Sequence, residues 1–225
     1  MKLLIVGYGK MGQLVDQLAA EQGMDVVGRV DAGREEWAPA DAAIDFSTAD
    51  ALLENFPRYL ELRVPLVIGT TGWNAHVDRL RMEAAQARLG VVAAANFSIG
   101  VNVFHLLAAE AARLFRPQDQ YGAWIHEAHH ATKRDAPSGT ALLLRDAMLQ
   151  AGFDRPIDMS STRAGTIPGT HSIGFDSASD TIELTHTARD RRGFASGALL
   201  AARWIQKREG WFSMLDVLRD NPRHA

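Results

Sequence analysis

The feature that most restricts this chain is its beginning. Lys2-Leu3-Leu4-Ile5-Val6 is an almost unbroken apolar run, and Gly7-Tyr8-Gly9-Lys10-Met11-Gly12 follows at once. Apolar residues without alternation predict a strand covered on both faces, which is the condition of a parallel sheet between helices. After the glycines, Met11, Leu14, Val15, Leu18 and Ala19 recur at helical spacing, and Gly23 suits a left-handed stop. Asp25 to Val30 predicts a second strand that ends at Asp31. Strand, glycine turn, helix and strand in that order make a right-handed βαβ unit.

The alternation continues through the first half. Strands are predicted at Ala42 to Phe46, Pro65 to Ile68 and Val91 to Ala95, with helices at Ala49 to Leu62 and Asn74 to Leu89. That order specifies a Rossmann-like parallel sheet with helices on both faces. Beyond Asn96 the character changes. A long helix is predicted from Val101 to Phe115, a strand from Tyr121 to Glu127, a helix from Ser138 to Ala151 and another from Phe194 to Lys207. Between the last two, His171 to Asp176 and Thr181 to Thr187 read as a hairpin. Long helices with clustered strands predict an α+β second domain with a mixed or antiparallel sheet. The fold class is therefore α/β, with a nucleotide-type domain followed by an α+β domain.

A net charge of −3 offers no broad footprint for nucleic acid, so local basic clusters point to small ligands. The chain has no cysteine, which excludes disulfides and thiolate metal sites. No apolar segment approaches bilayer-spanning length, and the opening run is too short for a signal peptide's apolar core. The expectation is a soluble cytoplasmic protein without membrane or nucleic-acid partners.

Gly7 to Gly12 fits G-x-G-x-x-G, and each glycine has a physical task. Gly7 permits the tight turn, Gly9 lets a pyrophosphate approach the backbone, and Gly12 lets helix and strand pack closely. Phosphates would rest on the free N–H groups at the helix start, where the helix dipole favours anions. Gly7, Tyr8, Gly9, Lys10, Met11 and Gly12 are thus candidate dinucleotide contacts. Asp31 stands where a carboxylate accepts bonds from ribose hydroxyls, which favours NADH. Arg34 lies close by and would suit a 2′-phosphate, so both NADH and NADPH fit these residues. Gly69, Thr70 and Thr71 end another strand, and ligands of such sheets lie beyond the strands' carboxyl ends. Ala94, Ala95, Asn96 and Phe97 end the next, where Asn96 could orient a nicotinamide carboxamide or cap a helix.

The densest chemistry lies in Glu127-Ala128-His129-His130-Ala131-Thr132-Lys133-Arg134-Asp135-Ala136-Pro137-Ser138-Gly139-Thr140. In a helix His129 and Lys133 would share a face, but Pro137 favours a loop, with Ser138 or a neighbour capping the helix that follows. Ser138, Gly139 and Thr140 would then offer N–H groups and a hydroxyl at a helix start, an anion pocket suited to a carboxylate. Adjacent histidines do not easily converge on one ion, and H-E-x-x-H is absent, so no metal is expected. The G-x-S-x-G elbow of a hydrolase is absent too.

This segment closely resembles the signature of the dihydrodipicolinate reductases, enzymes of lysine and diaminopimelate synthesis. The likeness spans nearly the whole chain, taking in Gly7 to Gly12, Gly69 to Gly72, Asn96 to Asn102, the stretch Arg163, Gly165, Gly169, His171, and the stretch from His186 to Gly197. The resemblance implies reduction of 4-hydroxy-tetrahydrodipicolinate to tetrahydrodipicolinate by NADH or NADPH. It implies proton exchange at His129, proton donation by Lys133, a substrate contact at His130, and a carboxylate grip at Gly139 and Thr140. It also implies a homotetramer and a final segment that returns to the first domain. Domain limits of 1–98 with 208–225, and 99–207, follow. The alternatives are another two-domain NAD(P)-dependent amino- or imino-acid dehydrogenase, or a non-catalytic dinucleotide sensor. The chain departs from many relatives in a short link between Asp31 and Asp45, in Asp45-Phe46-Ser47-Thr48-Ala49, which lacks a proline common soon after this strand, and in Ala95, where proline is frequent.

Overall fold

Burial of Leu3, Leu4, Ile5 and Val6, none more than 1% exposed, is what the opening run demands, and the fold grows around it. The computed structural model describes residues 1–220. In chain order the elements are β1 (Lys2–Val6), α1 (Lys10–Glu21), β2 (Asp25–Asp31), β3 (Arg34–Glu35), β4 (Ala42–Asp45), α2 (Ala49–Leu62), β5 (Leu66–Ile68), α3 (Val77–Gln86) and β6 (Gly90–Ala93). There follow α4 (Ile99–Phe115), β7 (Gly122–His129), α5 (Gly139–Gln150), β8 (Ile157–Arg163), β9 (Thr170–Asp176) and β10 (Thr181–Thr187). The chain closes with α6 (Arg192–Trp204), β11 (Gly210–Phe212) and α7 (Met214–Arg219). The backbone divides into two units, one made of Met1–Ile99 with the chain from Arg191 onward, the other of Gly100–Asp190.

In the first unit the sheet order is β11-β6-β5-β4-β1-β2-β3. Only the short edge strand β3 runs antiparallel, against β2. Alternate side chains of β1 enter separate cores. Leu3 and Ile5 pack with Val15, Leu18, Ala195, Leu199 and Val217, whereas Leu4 and Val6 pack with Leu52, Phe56, Tyr59 and Leu80. Helices α1, α6 and α7 thus cover one face and α2 and α3 the other. The strand order reverses direction between β1 and β4, the switch point at which such sheets bind ligands.

The second unit is a sheet of order β10-β9-β7-β8. Strands β7, β9 and β10 are antiparallel neighbours, while β8 runs parallel to β7, so the sheet is mixed. One face carries α4 and α5, and Ala123, Ile125, Ile173 and Phe175 meet Phe104, Ala108, Leu144 and Met148 there.

Several expectations change. Residues 191–207 were expected in the second domain, but α6 belongs to the first unit. Its small residues explain this: Ala195, Ala198, Ala201 and Ala202 let it lie flat on the sheet, and a Cβ at Gly197 would overlap the Phe97 carbonyl. The final segment pairs β11 with β6 and packs Met214 and Val217 into the same core; positions 221–225 of that expected domain lie outside the described residues. The predicted helix at 74–89 is a 3-10 turn at Asn74–His76 followed by α3. Strands β3, β8 and β11 were not anticipated. Among the described residues no helix is long and apolar enough to cross a membrane.

Candidate active site

In the first unit the glycine turn has the geometry its spacing calls for. Gly7 has φ +83° and its N–H donates to the Val30 carbonyl at 2.8 Å, while a Cβ on Gly12 would overlap the Gly7 carbonyl oxygen. Gly9 caps α1 without a side-chain hydrogen bond, and a Cβ built on it meets no atom of the described residues within 4 Å. The turn therefore leaves open space above free N–H groups at a helix start, which fits a dinucleotide pyrophosphate.

Around this turn the supporting groups are fixed. Tyr8 donates its hydroxyl to Asp16, and Arg29 grips the same carboxylate through Nε at 2.7 Å and Nη2 at 2.9 Å. Arg34 stacks over the Tyr8 ring at 5.5 Å and pairs with Glu36 at 2.9 Å. Asp31 is exposed at the end of β2, where its Oδ1 accepts the Ala32 N–H at 2.9 Å. Across the switch point, fully buried Asp45 accepts the Thr70 hydroxyl at 2.7 Å, the Ser47 hydroxyl at 2.6 Å and the Tyr59 hydroxyl at 2.7 Å. The Thr70 carbonyl in turn accepts the Trp73 indole N–H at 2.7 Å. Thr70 is thus a framing residue, and Thr71, which is exposed, is the freer of the pair. Asn96 accepts the Ser98 N–H at 2.8 Å just ahead of α4. Ala94, Ala95 and Thr71 line a cavity of about 260 Å³ with Trp73 and Trp211.

In the second unit the basic segment is anchored by strand register. Alternation along β7 puts Glu127 and His129 on the same face as the core residues Ala123 and Ile125. Pairing sets His171 of β9 opposite Glu127 and Arg163 of β8 opposite His129. Glu127, 1% exposed, receives the Arg163 fork at 2.9 and 2.7 Å, the Nδ1 side of His129, and the Ser138 N–H at 3.3 Å. Burial opposes its charge, but Arg163, Ser161 and His129 outweigh that and hold the carboxyl down to about 2. Burial also lowers His129, against the pull of Glu127, and pushes His171 down to about 4, so His171 is neutral near pH 7.

Pro137 and Ser138 end the loop as predicted, with Ser138 as the cap of α5. Its Oγ accepts the Ala141 N–H at 3.2 Å and meets His171 Nε2 at 2.9 Å. Gly139 and Thr140 occupy the first turn of α5, and a Cβ on Gly139 would meet nothing among the described residues within 4 Å. Lys133 pairs with Asp135 at 2.8 Å, and the Asp135 carbonyl accepts Arg163 Nη2 at 2.6 Å. His130 is exposed, with Nδ1 2.7 Å from the Thr132 hydroxyl. Glu127, His129 and His171 could offer ligand atoms within 4.8 Å of one another. A metal ion there would lie against the Arg163 guanidinium, and the carboxylate oxygens already have donors, so the cluster is built as a hydrogen-bond network.

Comparison with known proteins matches both halves. A family model described as dihydrodipicolinate reductase, N-terminus, matches residues 1–97, and one described as dihydrodipicolinate reductase, C-terminus, matches residues 100–218. The chain belongs to the dihydrodipicolinate reductase family. A 4-hydroxy-tetrahydrodipicolinate reductase of Christiangramia forsetii is 34% identical, covering 98% of each chain, and one of Methanoregula boonei is 35% identical, covering 96% of this chain and 97% of the other. The dipicolinate-bound dihydrodipicolinate reductase of Paenisporosarcina sp. TG-14 shares the fold, with TM-score 0.80 at 22% identity over 95% of this chain and 97% of that one. The family's enzymes are NAD(P)H-dependent oxidoreductases.

Within each unit of this family member, the expected residues gather. Gly7 to Gly12 and Asp31 meet at the switch-point end of the first sheet, and His129, Lys133, Ser138, Gly139 and Thr140 cluster at the end of β7. Asp45, Glu127, Arg163 and His171 carry the supporting contacts. The family resemblance takes in Glu127, Arg163 and His171 without giving them a role; the signal that could have supplied one for Glu127 is the period-two spacing Ile125, Glu127, His129, which aims a carboxylate at the core.

Proposed function

We propose that this reductase-family chain converts 4-hydroxy-tetrahydrodipicolinate to tetrahydrodipicolinate, with NADH or NADPH as reductant. One hydride and one proton are added per turnover and one water leaves. The observation that carries the reading is the fixed cluster at the end of β7, where His129 hangs from Glu127 beside the α5 cap. The bound dinucleotide supplies the hydride, and Gly7, Tyr8, Gly9, Lys10, Met11, Gly12, Asp31, Gly69, Thr70, Thr71, Ala94, Ala95, Asn96 and Phe97 are the residues proposed to hold it. A small dicarboxylate rests one carboxylate on the N–H groups and hydroxyl of Ser138, Gly139 and Thr140, and His130 contacts it from the loop. Hydride addition leaves negative charge on the conjugated ring, which the Lys133 ammonium stabilises and protonates. His129 exchanges a proton through the ring nitrogen that Glu127 does not hold. The family likeness further supports a cytoplasmic homotetramer in lysine and diaminopimelate synthesis.

The test is loss of reduced-cofactor absorbance with freshly made pathway intermediate, set against oxaloacetate plus ammonia. Turnover with the first and not the second is expected. Turnover only with the second would assign an amino-acid dehydrogenase, and cofactor binding without turnover would assign a sensor. Light scattering of the purified protein gives the oligomeric state, and a mass other than four chains rejects the tetramer.

A further inference from the structure

A buried carboxylate on a core-facing strand position is costly, and a hydrophobic residue at 127 would be cheaper. Arg163 neutralises Glu127 but does not explain its remaining contacts. Oε2 also holds His129 Nδ1, and Oε1 also takes the Ser138 N–H at 3.3 Å, so one carboxylate joins the imidazole to the start of the α5 turn. His171, directly opposite on β9, does not compete for it, because its Nε2 is 2.9 Å from the Ser138 hydroxyl. The His129 and His171 rings meet edge to face at 5.0 Å, which leaves His129 little freedom to turn. On the outer edge, a Cβ at Gly169 would come within 3.0 Å of His129 Nε2. Glycine at 169 keeps that nitrogen uncovered.

We propose that Glu127 is the positioning residue of this site: it fixes neutral His129 as the Nδ1–H tautomer with Nε2 as the proton-exchanging atom, and through the Ser138 N–H it places the carboxylate-binding turn. The inference rests on the reading of His129 as the proton-transfer group. With Nδ1 donating to a carboxylate, a neutral ring has its lone pair on Nε2, and a protonated ring is stabilised in place. The charged and titratable groups acting on the pair are Lys133 of the loop, Arg163 of β8 and His171 of β9; behind them Asp135 pairs with Lys133, and His186 of β10 acts on His171. A buried, neutral His171 adds no competing positive charge near pH 7.

Imidazole nitrogen NMR of the intact protein above the His129 titration should show the Nδ1–H tautomer; an Nε2–H tautomer overturns the proposal. Glu127→Gln should lower kcat about 10²- to 10⁴-fold, because the amide no longer fixes the tautomer of the proton-transferring imidazole. The pH-profile limb set by His129 should move to lower pH, because the bond that favours its charged form is gone. Dipicolinate affinity by calorimetry should fall about tenfold, the value of one hydrogen bond. Should the single variant fail to fold, Glu127→Gln with Arg163→Met leaves no unpaired buried charge and should show the same changes. A folded variant with wild-type kcat, pH limb and dipicolinate affinity reduces Glu127 to a structural ion pair. His129→Asn separates the two failures. If it turns over normally, the proton-transfer reading falls; if it is slow while the Glu127 variants are normal, only the positioning role falls.

Discussion

The Arg163 guanidinium lies fork to fork on the Glu127 carboxylate, Nη1 2.9 Å from Oε2 and Nη2 2.7 Å from Oε1. Glu127 is 1% exposed, so removing the cation strands a charge away from water. Arg163→Met is expected to cost about 3–5 kcal/mol in denaturant unfolding, the usual penalty for breaking a buried pair from one side. A loss under about 1 kcal/mol would show that the carboxylate is solvated in solution.

Acid should weaken the fold in adjoining stages. His171 is lowered from its ordinary 6.5 to about 4 by burial, so below pH 6.5 the unfolded chain takes up a proton that the folded chain refuses. The His171 contribution is therefore flat above that pH and falls by roughly 3 kcal/mol on the way down to about pH 4. Glu127, lowered from 4.5 to about 2, stabilises the fold above the upper value and loses that contribution as pH falls through the lower one. His171→Gln should make the first stage shallower and leave the second, because His129, His105 and His186, also lowered by burial, still contribute there. An unchanged slope between pH 6.5 and 4 in chemical denaturation would remove His171 as its source.

The glycines of the first turn should separate stability from affinity. Gly12→Ala forces a methyl onto the Gly7 carbonyl and is expected to cost about 1–3 kcal/mol of stability as well as cofactor binding. Gly9→Ala meets no atom of the described residues within 4 Å, so its stability should stay within about 1 kcal/mol while NADH affinity drops tenfold or more. Thermal melting with and without cofactor reads both quantities. Equal NADH affinity in Gly9→Ala and the parent chain would move the pyrophosphate elsewhere.

Lys133→Ala should lower kcat by about 10²- to 10⁴-fold with cofactor affinity intact, the range for a removed general acid. His130→Ala should chiefly raise KM, because its exposed ring, with Nδ1 on the Thr132 hydroxyl, is proposed to contact substrate rather than move a proton. Near-normal kcat in the first variant, or unchanged KM in the second, would reassign these side chains.

What could be read before the structure follows a physical pattern. The β1 run and its glycine turn were legible because an unbroken apolar strand before G-x-G-x-x-G has few other uses. Helix α6 was legible as a helix, but its alanines pack against almost any flat surface, so periodicity did not say which sheet it covers. Strand β8, Ile-Asp-Met-Ser-Ser-Thr-Arg, has no continuous apolar stripe; pairing with β7 makes it a strand. The role of Glu127 was hidden for the same reason. An inward carboxylate makes sense only once β8 places Arg163 beside it.

The first sheet is assembled from both ends of the chain, and this orders its birth on the ribosome. When residue 99 has been made, the edge of β6 still awaits β11, and the face bearing Leu3, Ile5, Val67 and Val92 still awaits α6. The second unit, by contrast, is one continuous stretch and can close on itself while the first stays half-clad. A transcript cut short before α6 would therefore yield a sticky, open-edged product rather than a smaller working domain.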